Sequence, residues 1–246
     1  MPLRDHIPVP SEPAVRWRGA NVSRLENLSD IVFAFALTLL VVATEVPRSY
    51  ADLRLAMWDF PAFMATFGVI LVVWYSHFLY FRRYGLEDGL TTVLNAVLLL
   101  LVLFYVYPLK FLFSFLINGT LLGWGFGIEA GPIPQISRAE MPQLMIVYSA
   151  GYLLISLTFI GLYLHALRQR ARLALTQLEQ HVTSSAIWTH GIAGSISVVS
   201  VVLAAVGHAP LAGLVYFLMG PLQGAAGYWN GRKAKALRVP LEPETG

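Results

Sequence analysis

Residues 24–46 read Arg-Leu-Glu-Asn-Leu-Ser-Asp-Ile-Val-Phe-Ala-Phe-Ala-Leu-Thr-Leu-Leu-Val-Val-Ala-Thr-Glu-Val. The start is polar and the rest is apolar, so this stretch predicts a helix that enters a membrane. Ser23 or Asn21 can cap it, and Glu26, three residues after Ser23, completes a capping box. Acidic groups near a helix N-terminus also suit its macrodipole. Asp30 is different, because it lies inside the helix. Between Asp30 and Glu45 only fourteen residues are uncharged, roughly 21 Å at 1.5 Å per residue. That is less than the ~30 Å hydrocarbon core of a bilayer. Either one carboxylate lies below the headgroups or the site is wet. An unpaired carboxylate at mid-membrane costs about 2.5–3.5 kcal/mol on insertion scales, so Asp30 needs partners. Arg24 is six residues away, about 240° around the helix, so the partners should come from other helices.

Trp74-Tyr75-Ser76-His77 offers them, near the end of the second apolar run and at the depth of Asp30. An indole N–H and an imidazole can both donate to a carboxylate. The alternative is that Trp74 belongs to an interfacial aromatic belt and His77 is a packing histidine. Spacings of three and four put Ile31, Phe35, Thr38, Val42 and Glu45 on one face of the first helix. The Thr38 hydroxyl can also bond back to its own helix.

Around this stretch the chain repeats the same texture. Of its 246 residues 57% are hydrophobic and 13% charged, about half the charge of a soluble domain. Six apolar segments are long enough to cross a bilayer, near 27–46, 57–81, 90–117, 142–167, 185–207 and 210–230. With the N-terminus inside, the inner flanks hold thirteen of the 17 basic residues and the outer flanks four, Arg48, Arg54, Lys110 and Arg138. That bias predicts an even number of spans, with both termini cytoplasmic. The expected organisation is a polar cytoplasmic tail 1–22, a six-helix transmembrane domain 23–231 and a basic cytoplasmic tail 232–246. The third run contains Pro108 and Lys110 and is expected to kink or emerge there. The loop 118–140 is Gly-rich, with room for a short interfacial helix, and Asn118-Gly119-Thr120 matches a glycosylation sequon by pattern. Residues 166–184 read as a basic amphipathic continuation of the fourth helix.

The polar, Pro-rich start (Pro2, Pro8, Pro10, Pro13) predicts no cleavable signal peptide. The absence of cysteine excludes disulfides and thiolate chemistry. The net charge of +3 does not point to nucleic acid, because the basic residues flank apolar runs. No P-loop, dinucleotide fingerprint, zinc-type histidine spacing or Ser/His/Asp arrangement is present, so no enzymatic chemistry is expected. His165, His181, His190 and His208 are dispersed, each read as a packing or interfacial residue. Gly220 and Gly224 form a small-xxx-small pair, which usually marks close helix packing.

The pattern resembles the transmembrane protein 175 family of potassium channels, bacterial single-repeat type. That family's signature is Arg-x-x-x-Phe-Ser-Asp at the start of the first helix; here it stands as Arg24-x-x-x-Leu28-Ser29-Asp30, with Leu for Phe. Glu45-Val46-Pro47, Trp74-x-x-His77 and Asn95 also look like the family. The resemblance implies an all-α homotetramer in the cell membrane, with four first helices lining a central pore and no carbonyl filter loop. Potassium would be the permeant ion and no cofactor would be needed; the partners would be further copies of the chain and the bilayer. By position the hydrophobic constriction falls on Phe35 and the hydroxyl ring on Thr38, with Ile31, Val42 and Glu45 also lining the pore. Arg24, Ser29, Asp30, Trp74, His77 and Asn95 would form a hydrogen-bond network that holds the helices in register. The family usually has Ile or Leu at the constriction, so Phe35 is a departure. Two rivals stand beside this reading. One is a proton-coupled transporter or proton pathway using Asp30 and His77. The other is a non-conducting membrane scaffold.

Overall fold

The computed structural model describes residues 15–19, 21–42, 46–125, 127 and 134–237. All regular structure among them is helical. In order these are α1 (Arg24–Val42), α2 (Tyr50–Tyr84), α3 (Gly89–Phe113), α4 (Met141–Arg168), α5 (Gln177–Ala205), α6 (Ala209–Leu214) and α7 (Met219–Ala236). Ser114–Gly125 prolongs α3 as π-helical turns, and one 3-10 turn, Val215–Leu218, joins α6 to α7. Counting α6 to α7 as one broken span, six helical stretches are long and apolar enough to cross a membrane.

The six alternate in direction. One end of the bundle gathers the start of α1, the end of α2 and the start of α3, as the contacts Trp74–Asp30 and Asn95–Ser29 require. The end of α4 joins them through His165–Asp88, and the end of α7 meets the start of α5 through His181 and the Asn230 carbonyl. Arg82, Arg83, Arg168, Arg232, Lys233 and Lys235 all stand at this basic end. The core runs between α1, α2, α3 and α4, with Phe33, Leu40, Phe81, Leu98, Val106, Phe159 and Leu162 buried in it. The Tyr105 ring of α3 packs closely against Gly151 of α4: a Cβ at 151 would stand 2.3 Å from the tyrosine Cε2. Its hydroxyl donates to the Tyr148 carbonyl at 2.6 Å, and the Tyr148 hydroxyl donates to the Pro108 carbonyl.

Several expectations need correction. Of residues 166–184, only the first three continue the fourth helix, which ends at Arg168. The chain reverses at Ala174, whose φ is +46°, and Thr176 starts α5 with a capping box to Glu179. A cap satisfies amide donors that a through-running helix would satisfy with backbone carbonyls, so the capping pair turns the helix over. Helical turns continue through Gly125, well into the expected loop 118–140. Asn118 is fully buried, so its sequon is inaccessible in the folded chain. Residues 15–19 of the expected N-terminal tail pack on the bundle, and α7 carries the expected C-terminal tail as helix as far as Ala236. A Cβ at Gly220 or Gly224 would meet nothing within 4 Å, so among the described residues of one chain the pair is not a packing contact, and only the packing between subunits that the motif also allows is left open.

Candidate functional site

α1 has two faces. Glu26, Ser29, Phe33, Ala36 and Leu40 are its buried residues. Leu28, Ile31, Phe35, Thr38 and Val42 each follow one of these by two positions, about 200° around a helix, and all five are exposed. The two phenylalanines make the contrast plain: Phe33 is 2% exposed and Phe35 55%. Phe35 is therefore not core within the chain. Thr38 donates its hydroxyl hydrogen to the Ala34 carbonyl at 2.9 Å. That bond uses the proton and leaves the exposed oxygen free to accept a further hydrogen bond or a cation. Glu45 lies outside the described residues.

The buried face is anchored by polar groups. Ser23 and Glu26 close a reciprocal capping box, at 2.9 and 3.0 Å. Above it a directed chain of hydrogen bonds crosses three helices. His77 Nε2 faces Asn95 Oδ1 at 2.8 Å, Asn95 Nδ2 donates to Ser29 Oγ at 2.9 Å, and Ser29 donates to the Leu25 carbonyl at 2.8 Å. An amide oxygen only accepts, so the tautomer with the proton on Nε2 fits this chain. The His77 ring also packs against Phe33 and Phe81. Asn95, Ser29 and His77 are buried. Asp30 stands apart from the chain: Trp74 Nε1 donates to its Oδ1 at 2.9 Å on the exposed side. The indole N–H is a donor only, so no proton passes from Asp30 to His77 through Trp74. Arg24 differs from expectation. It is exposed, and among the described residues no hydrogen bond or ion pair reaches its side chain. Its angular separation from Asp30 and the buried face leaves it pointing out of the chain.

Three polar groups went unmarked by the sequence reading. Asp59, near the opposite end of α2, is buried and holds Ser114 Oγ at 3.2 Å, Asn118 Nδ2 at 2.7 Å and Lys110 Nζ at 3.9 Å. It turns the π-helical segment toward α2. Asp59 and Lys110 are opposite charges in separate apolar runs, and that was the available signal. Asp88 caps α3 by accepting the Thr91 N–H at 2.9 Å and meets His165 at 2.6 Å. Burial pushes its carboxyl up, but the Thr91 N–H and His165 outweigh it and hold the group below the ordinary aspartate value. The third, Glu179, binds residues 16–18 and is described below.

A helix anchored on one face and exposed on the other, within a six-helix membrane bundle, defines a multi-pass α-helical membrane protein with a face of α1 left for lipid or further copies of the chain. Comparison with known proteins narrows the class. The model of the family described as "Endosomal/lysosomal potassium channel TMEM175" matches residues 24–105. A potassium channel of Marivirga tractuosa is 33% identical over 234 residues, covering 92% of this chain and 94% of that one. A potassium channel of Chamaesiphon minutus is 30% identical over 155 residues, covering 60% and 66%. Among solved structures, the T38A variant of the potassium channel MtTMEM175, in complex with a Nanobody-MBP fusion protein, superimposes with a TM-score of 0.79 at 33% identity, covering 89% of this chain and 98% of that one. The chain belongs to the TMEM175 family of potassium channels, a family of multi-pass membrane channels and not of enzymes.

Proposed function

We propose that four copies assemble around an axis lined by their α1 helices, and that potassium crosses the cell membrane along it. The observation that carries this is the uncovered stripe opposite the anchored face, Ile31, Phe35, Thr38 and Val42. Four Phe35 rings form the narrowest level. Apolar side chains at a constriction exclude water and raise the barrier to a hydrated ion. One turn further, the free lone pairs of four Thr38 hydroxyls replace part of the water an ion gives up. Glu45 completes the path at the outer mouth. The anchor residues Ser29, Asp30, Trp74, His77 and Asn95 hold α1 against α2 and α3 and do not touch the ion, and Arg24, its side chain unbonded among the described residues, faces the neighbouring subunit. Potassium is the permeant ion and no cofactor takes part. The basic end of the bundle lies at the cytoplasm, with both termini there, since thirteen of the 17 Lys and Arg belong to that side.

The test uses purified protein, sized in detergent and then reconstituted into liposomes for potassium flux. A tetramer that carries potassium flux supports the reading. A monomer, or a tetramer that stays silent even as Phe35→Ala, overturns it.

A further inference from the structure

Residues 16–19 cross the basic end of the bundle, and Arg16, Arg18 and Gly19 are each hydrogen-bonded to it. Arg18 grips Glu179 with both arms of its guanidinium, Nη1 to Oε1 at 3.0 Å and Nη2 to Oε2 at 2.8 Å. Its Nε donates to the Leu173 carbonyl at 2.9 Å. The Arg16 amide also donates to Glu179 Oε1, at 3.0 Å. Glu179 is 2% exposed. A carboxylate so buried needs full hydrogen bonding, and a bidentate arginine supplies it in the strongest form.

On its other side the same segment is clamped to α2. The amides of Arg18 and Gly19 both donate to the Arg82 carbonyl, at 3.1 and 3.2 Å, and Arg82 Nη1 returns a bond to the Gly19 carbonyl at 2.7 Å. The fit leaves no slack. A Cβ at Gly19 would stand 2.6 Å from the Phe81 carbonyl oxygen. Gly85, which ends α2 with φ +57°, would bring its own Cβ within 3.2 Å of the Arg18 carbonyl carbon. Five residues later α1 begins. The two helices that support α1 directly are α2 and α3, while Glu179 belongs to α5.

We infer that residues 16–19 are a strap through which α5 fixes the seat of α1, making Arg18 and Glu179 positioning residues for the pore helix. The physical chain is short. Gly19 is pinned to α2 and, through Arg18, to α5. Extended backbone reaches at most about 3.6 Å per residue, so the first turn of α1 stays within about 18 Å of that pin. The anchor bonds of Ser29 and Asp30 hold the helix about one and a half turns further on. With the strap in place, the end of α1 has two supports, and motion of α5 is felt at the first turn of α1. The effect on flux rests on the pore reading above; the effect on α1 does not.

Backbone hydrogen exchange separates the two. It is read by mass spectrometry on the intact channel in detergent, for peptides covering 24–30 and, as a control, peptides in α3 and α4. Arg18→Gln removes the grip and leaves the Thr176–Glu179 capping box of α5 intact. Gly19→Ala lifts the strap without changing charge. Arg18→Lys keeps the charge and loses the fork. The expected result is faster exchange confined to 24–30, by about tenfold for Arg18→Gln, the population change that 1.4 kcal/mol of local opening produces. Gly19→Ala should match it and Arg18→Lys should fall between, which keeps the test informative should one variant fold poorly. Flux per folded channel should rise in the same order, as a loosened α1 lets the Phe35 ring spread. Unchanged exchange at 24–30, or an equal rise in α3 and α4, overturns the strap. Faster exchange at 24–30 with unchanged flux overturns its link to the pore, and Phe35→Ala tests the pore by itself.

Discussion

Phe33 and Phe35 are identical side chains two positions apart, and their surroundings set opposite consequences for truncation. Phe33 packs on His77 inside the bundle, where removing a buried Phe costs about 3–5 kcal/mol. Phe35 is half-exposed in the chain, so Phe35→Ala should fold as well as the parent and raise potassium flux by wetting the constriction. Flux normalised to folded tetramer is the measurement; a poorly folded Phe35→Ala with no gain of current would return Phe35 to the core. Thr38→Val keeps the shape and removes the lone pairs, so the ratio of potassium to sodium flux should fall while the elution profile stays that of the parent. Asn95→Leu acts elsewhere. It leaves the buried His77 N–H without its acceptor and Ser29 without its donor, a loss of about 1–3 kcal/mol. A lowered unfolding temperature in detergent, with ion selectivity intact, is the expected outcome. At this scale much was readable in advance: helical spacing put Ile31, Phe35, Thr38 and Val42 on one face. Arg24 was not, because spacing shows where a side chain points and not whether a partner from the same chain waits there.

Between helices the turns decide. Ala174 holds φ +46°, a left-handed conformation that costs a residue with a Cβ about 1 kcal/mol relative to glycine. Ala174→Gly should therefore raise the unfolding temperature, whereas Ala174→Val should lower it by more. Asp88 supports both the start of α3 and the end of α4. Losing an N-cap costs about 1 kcal/mol, so Asp88→Ala should destabilise at neutral pH. Because the folded carboxyl sits below the ordinary aspartate value, its contribution is fully present above that value. It is lost only as the pH falls through the lowered one, and the gap between Asp88→Ala and parent should close there. The sequence reading missed the α4–α5 turn for a specific reason. Residues 166–184 have the composition of a basic amphipathic helix, and no glycine or proline marks the reversal. What reverses the chain is the Thr176–Glu179 cap, a pair that looks the same inside a helix until its geometry is seen.

Over the whole molecule, hydropathy gave six spans because each run is long, and charge gave their alternation. Contacts that join distant segments, such as Arg18 with Glu179 or Asp59 with Asn118, have no periodicity and left no mark in the sequence. The alternation is testable directly, since the chain contains no cysteine. Single cysteines at Gln135 and at Lys233 should react with a membrane-impermeant thiol reagent from opposite sides of a sealed vesicle. Reaction from the same side would overturn the six-span alternation and the proposed orientation with it.

α1 is 19 residues long, about 28 Å at 1.5 Å per residue. Its neighbour α2 has 35 residues, about 52 Å by the same measure. α2 is thus nearly twice as long as the described part of the helix that faces the proposed axis. In the proposed pore an ion would cross a low-dielectric barrier at least as long as the described part of α1. Voltage across the membrane is worth about 2.3 kcal/mol per unit charge per 100 mV, and it would fall across that barrier. In the proposed pore, a cation blocking at the level of Phe35 and Thr38 would therefore sense part of the applied potential, and its block would depend on voltage.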